Sequence, residues 1–145
     1  MALSVRNYDP AVFVGADLIA GGVISSNAPT GNGIGYATGA GGAVTQLTNR
    51  STGVTLSKLC GAITTDATSL AAGAEASFVV TNTTVAVGDV VVVAARSGQT
   101  ADTSIPVVTA VAAGSFTITL TNIHASTADT GAMIINFVVI KAVGA

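Results

Sequence analysis

From residue 43 onward the chain is a succession of short apolar runs rich in β-branched residues, each closed by Gly, Asn, Asp or Ser. The runs are AVTQLT (43–48), GVTLSK (53–58), GAITTD (61–66), ASFVVTN (76–82), DVVVVAA (89–95), SIPVVTAVA (104–112), SFTITLTN (115–122) and AMIINFVVIKA (132–142). A half-buried strand alternates apolar and polar side chains, and SFTITLTN does so cleanly. Its Phe116, Ile118 and Leu120 share one face, with Ser115, Thr117, Thr119 and Thr121 on the other. DVVVVAA is apolar on both faces, which predicts a central strand covered on both sides or a face taken into an oligomer interface. Pro106 has no amide hydrogen to give a sheet, so its run predicts an edge strand or a bulge. TSLAAGAEAS (68–77) holds helix formers but is broken by Gly73, and it predicts at most a single turn. About eight strands separated by turn signals predict an all-β sandwich, and antiparallel Greek-key connections would make it jelly-roll-like.

Residues 1–42 have a different texture. Pro10, Gly15, Gly21, Gly22 and the segment SSNAPTGNG (25–33) punctuate them, and no apolar period survives more than a few residues. The reading is an extended N-terminal arm with one short strand at 11–14 and a glycine-rich strap, ahead of a β-sandwich domain at 43–145. Arg6 and Asp9 precede the apolar part of the arm, which Asp17 and several glycines break. That part is shorter than the about 20 residues a bilayer span needs, so the expectation is a chain made and kept soluble in a cytoplasm, with no membrane contact.

Composition sharpens the picture. Half the residues are hydrophobic and only 8% are charged, where ordinary domains are about a quarter charged. Five Lys and Arg stand against seven Asp and Glu, a net charge of −2, which disfavours a nucleic-acid partner. The polar surface must come from 20 Thr and 11 Ser with Asn and Gln. Such a surface suits tight, salt-insensitive packing on other protein. The chain also carries more apolar residues than one small sandwich needs, and self-association or docking onto a larger assembly is the natural outlet.

The strongest motif candidate is GNGIGYATGAGG (31–42), six glycines in twelve residues. A phosphate cradle needs a preceding strand, a following helix and either G-x-G-x-x-G or a Lys-Ser/Thr pair. The glycines never fall in that spacing, no lysine follows before Lys58, and the sequence beyond Gly42 alternates like a strand. The run reads as a hinge or contact strap. His124, with Asp129 five residues later and serines nearby, is the one constellation that could form a Ser-His-Asp triad through space. A loop role for His124 is the preferred reading. The acids stand singly, and Asp66, Asp89 and Asp129 sit where a short acceptor caps a turn. Cys60, the single cysteine, excludes an internal disulfide and reads as a small buried hydrophobe. No catalytic, cofactor-binding or metal-ligating residue is assigned, and the chain is not expected to be an enzyme.

The run GIGYATGAGGAVTQLTNRSTGVTLSKLCGAITT (33–65), followed by SFVVTNTTVAVGDVVVV (77–93) and AMIINFVVIKA (132–142), resembles the jelly-roll cementing, or decoration, proteins of short-tailed bacteriophages such as those of Bordetella. The resemblance implies a virion protein on the outer surface of the capsid. It would bridge copies of the major capsid protein and pair with itself, as a dimer or else a trimer. On this reading arm and strap contact capsid protein or a sister copy, and removing residues 1–36 abolishes binding while the β domain still folds. The alternative is a head-binding or adhesive module of a phage tail fibre or tailspike, a class that usually presents exposed aromatics or carbohydrate-binding acids.

Overall fold

In a computed structural model, residues 35–142 are described, and they form eight strands in two four-stranded sheets with no helix. The strands are β1 (Gly41–Thr45), β2 (Val54–Thr55), β3 (Cys60–Thr64), β4 (Glu75–Thr81), β5 (Val90–Ser97), β6 (Ser104–Ala112), β7 (Ser115–Asn122) and β8 (Ile134–Ile140). The arm and the short strand expected at 11–14 lie outside the described residues.

Sheet A has the order β1-β3-β8-β5 and sheet B the order β2-β4-β7-β6. Four pairings are antiparallel, but β1 runs parallel to β3 and β2 parallel to β4, so the sheets are mixed rather than purely antiparallel. The cause is the path of the chain. Strands β1 to β4 alternate between the sheets, so each meets as neighbour the strand two steps away, which points the same way. Only β6 and β7 form a hairpin within one sheet. The alternation also gathers the β1–β2, β3–β4, β5–β6 and β7–β8 loops at one end of the sandwich, with the remaining connections at the other.

The sandwich closes because alternate residues of each strand are apolar. Ile63, Ile135 and Val139 of sheet A meet Val80, Ile118 and Leu120 of sheet B, all fully buried. Each such side chain contributes about 1.5–3 kcal/mol by leaving water. Phe116 and Phe137 cross between the sheets with ring centroids 5.5 Å apart, tilted by 50°. Pro106 lies in β6, an edge strand that also carries a bulge between Val108 and Ala110. The segment 68–77 makes a turn, with the Ala74 amide donating to the Ala71 carbonyl at 3.0 Å and Gly73 at φ +73°.

The end of the glycine run belongs to β1, where Gly42 pairs with Gly61 of β3. A Cβ on Gly61 would lie 2.6 Å from the Gly42 carbonyl oxygen and 3.0 Å from both Leu56 and Phe137. The two glycines thus let β1 and β3 lie flat beneath Leu56.

Candidate interaction surfaces

The residues weighed for chemistry are distributed by the fold, not gathered. The β7–β8 loop (123–133) carries both His124 and Asp129. His124 Nδ1 accepts the amides of Ser126 and Thr127 at 3.1 and 2.9 Å, which folds its own loop. Asp129 is fully buried and points elsewhere: its Oδ1 accepts the amides of Thr100 and Gly131 at 2.9 and 3.0 Å. Asp66 and Asp89 accept the amides of Thr68 and Ala86 at 2.7 and 2.8 Å, the turn-capping role expected of them. Among the described residues no three His, Cys, Asp or Glu side chains cluster as metal ligands would.

Four buried polar side chains tie together the loops at the β1–β2 end. Gln46 donates to the carbonyls of Arg50 and Thr52 at 3.1 and 2.7 Å and accepts the Asp66 amide at 3.0 Å. Arg50, only 3% exposed, donates from Nε to the Thr68 carbonyl and from Nη2 to the carbonyls of Asp129 and Gly131 at 3.1 and 2.8 Å. Its Nη1 stands 3.4 Å from Asp129 Oδ2. Asn122 donates to the carbonyls of Leu70 and Thr127, both at 2.9 Å. Burial by itself pushes the Asp129 carboxyl up, but the Thr100 amide, the Ser104 hydroxyl, the Gly131 amide and the Arg50 charge outweigh it and hold the carboxyl below its ordinary range. Sequence reasoning missed this cluster because its members are far apart in the chain. The one available signal was an arginine in a loop of a nearly uncharged protein.

The opposite end has a smaller clamp. Asn82, fully buried, donates to the Lys58 carbonyl at 2.7 Å and accepts the Thr84 amide at 3.0 Å. Lys141 bridges the Thr84 carbonyl, at 3.0 Å, and the Asp89 carboxylate. The Ala86 amide, then Lys141 and the Ala142 amide, hold the Asp89 carboxyl below its usual value against a smaller opposing effect of burial.

Between the two tied ends, the described residues present the broad outward faces of the two sheets. Sheet B interleaves hydroxyls with apolar side chains: Ser77 and Thr119 share a hydrogen bond of 2.8 Å, Thr109 and Thr119 one of 3.0 Å, and Thr121 donates to Glu75 at 3.1 Å, while Val79, Ile105 and Val107 on the same face are exposed. A hollow of about 320 Å³ opens beside β4, lined by Ser51, Gly53, Ser77, Phe78, Val79 and Thr117. It forms where β2 is only two residues long and leaves the rest of β4 unflanked.

Sheet A presents an apolar surface with fewer hydroxyls. Its register lines up Gly41, Cys60, Val138 and Val92 in one outward row, and Ala43, Ala62, Asn136 and Ala94 in the next. Ile140 and Val90 extend it beyond the first row. Val90, Val92 and Ile140 are 51%, 47% and 51% exposed. No charge occupies these rows. Strand β5 is thus an edge strand, not the covered central strand that was one reading of DVVVVAA. Cys60 is likewise outside the core: Gly61 and Ile63 take the inward positions, so strand alternation turns Cys60 outward beside Gly41, where a Cβ would meet its Sγ at 3.4 Å. Tyr36, in the strap, donates its hydroxyl to the Val139 carbonyl.

Compared with known protein families, curated proteins and solved structures, the chain matches none.

Proposed function

We propose that this chain is a structural virion protein, a cementing or decoration protein that binds the outside of a phage head and bridges subunits of the major capsid protein. The observation that carries the reading is the pair of broad outward faces with few charges on opposite sides of one sandwich, apolar on sheet A and mixed apolar and hydroxylated on sheet B. A cement must touch at least two neighbours at once and hold them in a fixed relation. Two flat faces back to back do that, and buried clamps at both ends of the sandwich keep the faces from shearing. Neutral contacts depend little on ionic strength, unlike charged patches. They suit a shell that must withstand both internal pressure and changes of medium. The likeness of residues 33–65 to phage cementing proteins supports the same assignment.

The test is to mix the purified protein with capsids lacking it, sediment them and count bound copies. Saturable binding at a number compatible with the shell's symmetry, retained in high salt and accompanied by greater heat resistance, is the expected result. Absence of binding to shells, with association to tails or host cells instead, refutes the proposal and favours the fibre module.

A further inference from the structure

We infer that the open edge of β4 is a strand-docking site, which pairs with an extended, uncharged segment of the capsid protein and adds it to sheet B as a further strand. The inference rests on the cementing reading and names the contact through which that partner is held.

The backbone of β4 sets the geometry. In a strand the amide and carbonyl of one residue point to the same side, and successive residues point to opposite sides. Toward β7, the Ala74 carbonyl accepts the Asn122 amide at 2.9 Å, and the Asn82 amide donates to the Gly114 carbonyl at 2.8 Å. The even-numbered residues of β4 therefore face β7, while Glu75, Ser77, Val79 and Thr81 face the other way. On that side the Leu56 amide takes the Thr81 carbonyl at 3.0 Å, but the pairing of β2 stops at Val54 opposite Val80. Upstream, the Thr52 amide turns back to the Asn49 carbonyl at 3.0 Å and the chain leaves the edge. Among the described residues no backbone group pairs with the amides of Glu75, Ser77 and Val79 or with the carbonyls of Glu75 and Ser77.

Donors and acceptors repeated every second residue along a straight line are matched by another extended backbone, the mode of recognition in which a peptide adds a strand to a sheet. The edges on the far side of the sandwich are guarded against this. β6 carries Pro106 and a bulge, and β5 carries a bulge and the exposed Arg96. From Ser77 to Val79, β4 has no proline, charge or bulge.

The hollow of about 320 Å³ defines the segment that fits. It lies against this same stretch, between Ser51 and Gly53 on one side and Ser77, Val79 and Thr117 on the other. No charged side chain lines it, so a charged residue entering it would lose water and gain no partner. Side chains of an added strand alternate, so one enters the hollow beside Val79, where a β-branched Val, Ile or Thr suits the mixed apolar and hydroxyl lining. About five residues of the segment would cover Glu75 to Val79. A contact along an edge leaves both broad faces of the sandwich for other neighbours, as bridging requires.

The test is residue-resolved amide hydrogen exchange on the full-length protein, free and bound to capsids lacking it. The amides of Glu75, Ser77 and Val79 should exchange fast in the free protein and at least about tenfold more slowly on the shell, with Ala76 and Phe78, already paired to β7, unchanged. Ser77→Pro removes an amide that β7 does not use, and should weaken shell binding at least about tenfold while the circular dichroism of the folded protein is kept. Ser77→Ala keeps that amide and should bind as the native protein does. Shell binding without protection of these amides, or with protection confined to β1, overturns the inference and leaves the cementing reading standing. So does a folded Ser77→Pro protein that binds undiminished. Slow exchange of Ser77 and Val79 before shells are added also overturns it, and gives the edge to this chain or a second copy of it. Absence of shell binding refutes the inference and the cementing reading together.

Discussion

Replacing Arg50 with methionine isolates the clamp at the loop end of the sandwich. Methionine fills most of the space of the arginine stem but supplies no charge and no donor. The Thr68 and Gly131 carbonyls lose their Arg50 donors, while the Asp129 carbonyl keeps the Leu70 amide at 2.8 Å. The Asp129 carboxylate, with no exposed surface, loses its countercharge. Removing one member of a buried pair costs about 3–5 kcal/mol, and much of the orphaned-carbonyl penalty is contained in that figure. The loss is a large part of the about 5–15 kcal/mol that holds a domain together. For a domain of this size it corresponds to a fall in Tm of roughly 15 °C. The chain has no Trp, so unfolding in urea is followed by far-ultraviolet circular dichroism.

A pH series gives the sharper test. In the native protein the folded Asp129 carboxyl sits below its ordinary value, so its contribution is present above the unfolded pKa and lost as pH falls through the folded one. In Arg50→Met burial persists without the countercharge, the folded pKa rises, and protonation relieves the stranded carboxylate. The deficit of the variant should therefore narrow on acidification, and Asp129→Asn in the same chain should recover part of it at neutral pH. A loss under about 1 kcal/mol, or a deficit that does not change with pH, would refute the assignment of this pair as the clamp.

Three further outcomes are expected. Gly98→Ala should cost more than about 2 kcal/mol in urea unfolding, because Gly98 has φ +93° and a Cβ would fall 2.1 Å from the Ala132 carbonyl oxygen; a cost within about 0.5 kcal/mol would show that the loops part freely. Asn82→Ala should cost about 1–2 kcal/mol and speed amide exchange at Thr84, since the Lys58 carbonyl and the Thr84 amide both lose their partner; unchanged exchange there would contradict the clamp. Thermal stability should decline as pH falls from the ordinary carboxylate range through the lower folded pKa values of Asp66, Asp89 and Asp129, because the unfolded chain binds their protons first; a melting temperature flat down to pH about 2 would mean these carboxylates do not stabilise the fold.

The sequence by itself determined the strands and, where apolar and polar residues alternate, which residues face the core. Alternation such as Phe116-Ile118-Leu120 against Thr117-Thr119-Thr121 is a local property, since side chains of a strand must point to opposite faces whatever it pairs with. Pro106 announced an edge for an equally local reason, the missing amide hydrogen. Pairing was a different matter. That β1 lies parallel to β3, and that the valine-rich β5 is an edge rather than a centre, follows from how the chain alternates between sheets, which no period along the sequence encodes. The outward turn of Cys60 depends on Gly61 having to lie flat beneath Leu56 and beside Phe137. The Arg50–Asp129 pair joins residues 79 positions apart, and in sequence each is only a lone charge in a loop. Only the tertiary structure brings the four loops of one end together, and only there does burial make two ordinary charges indispensable to each other.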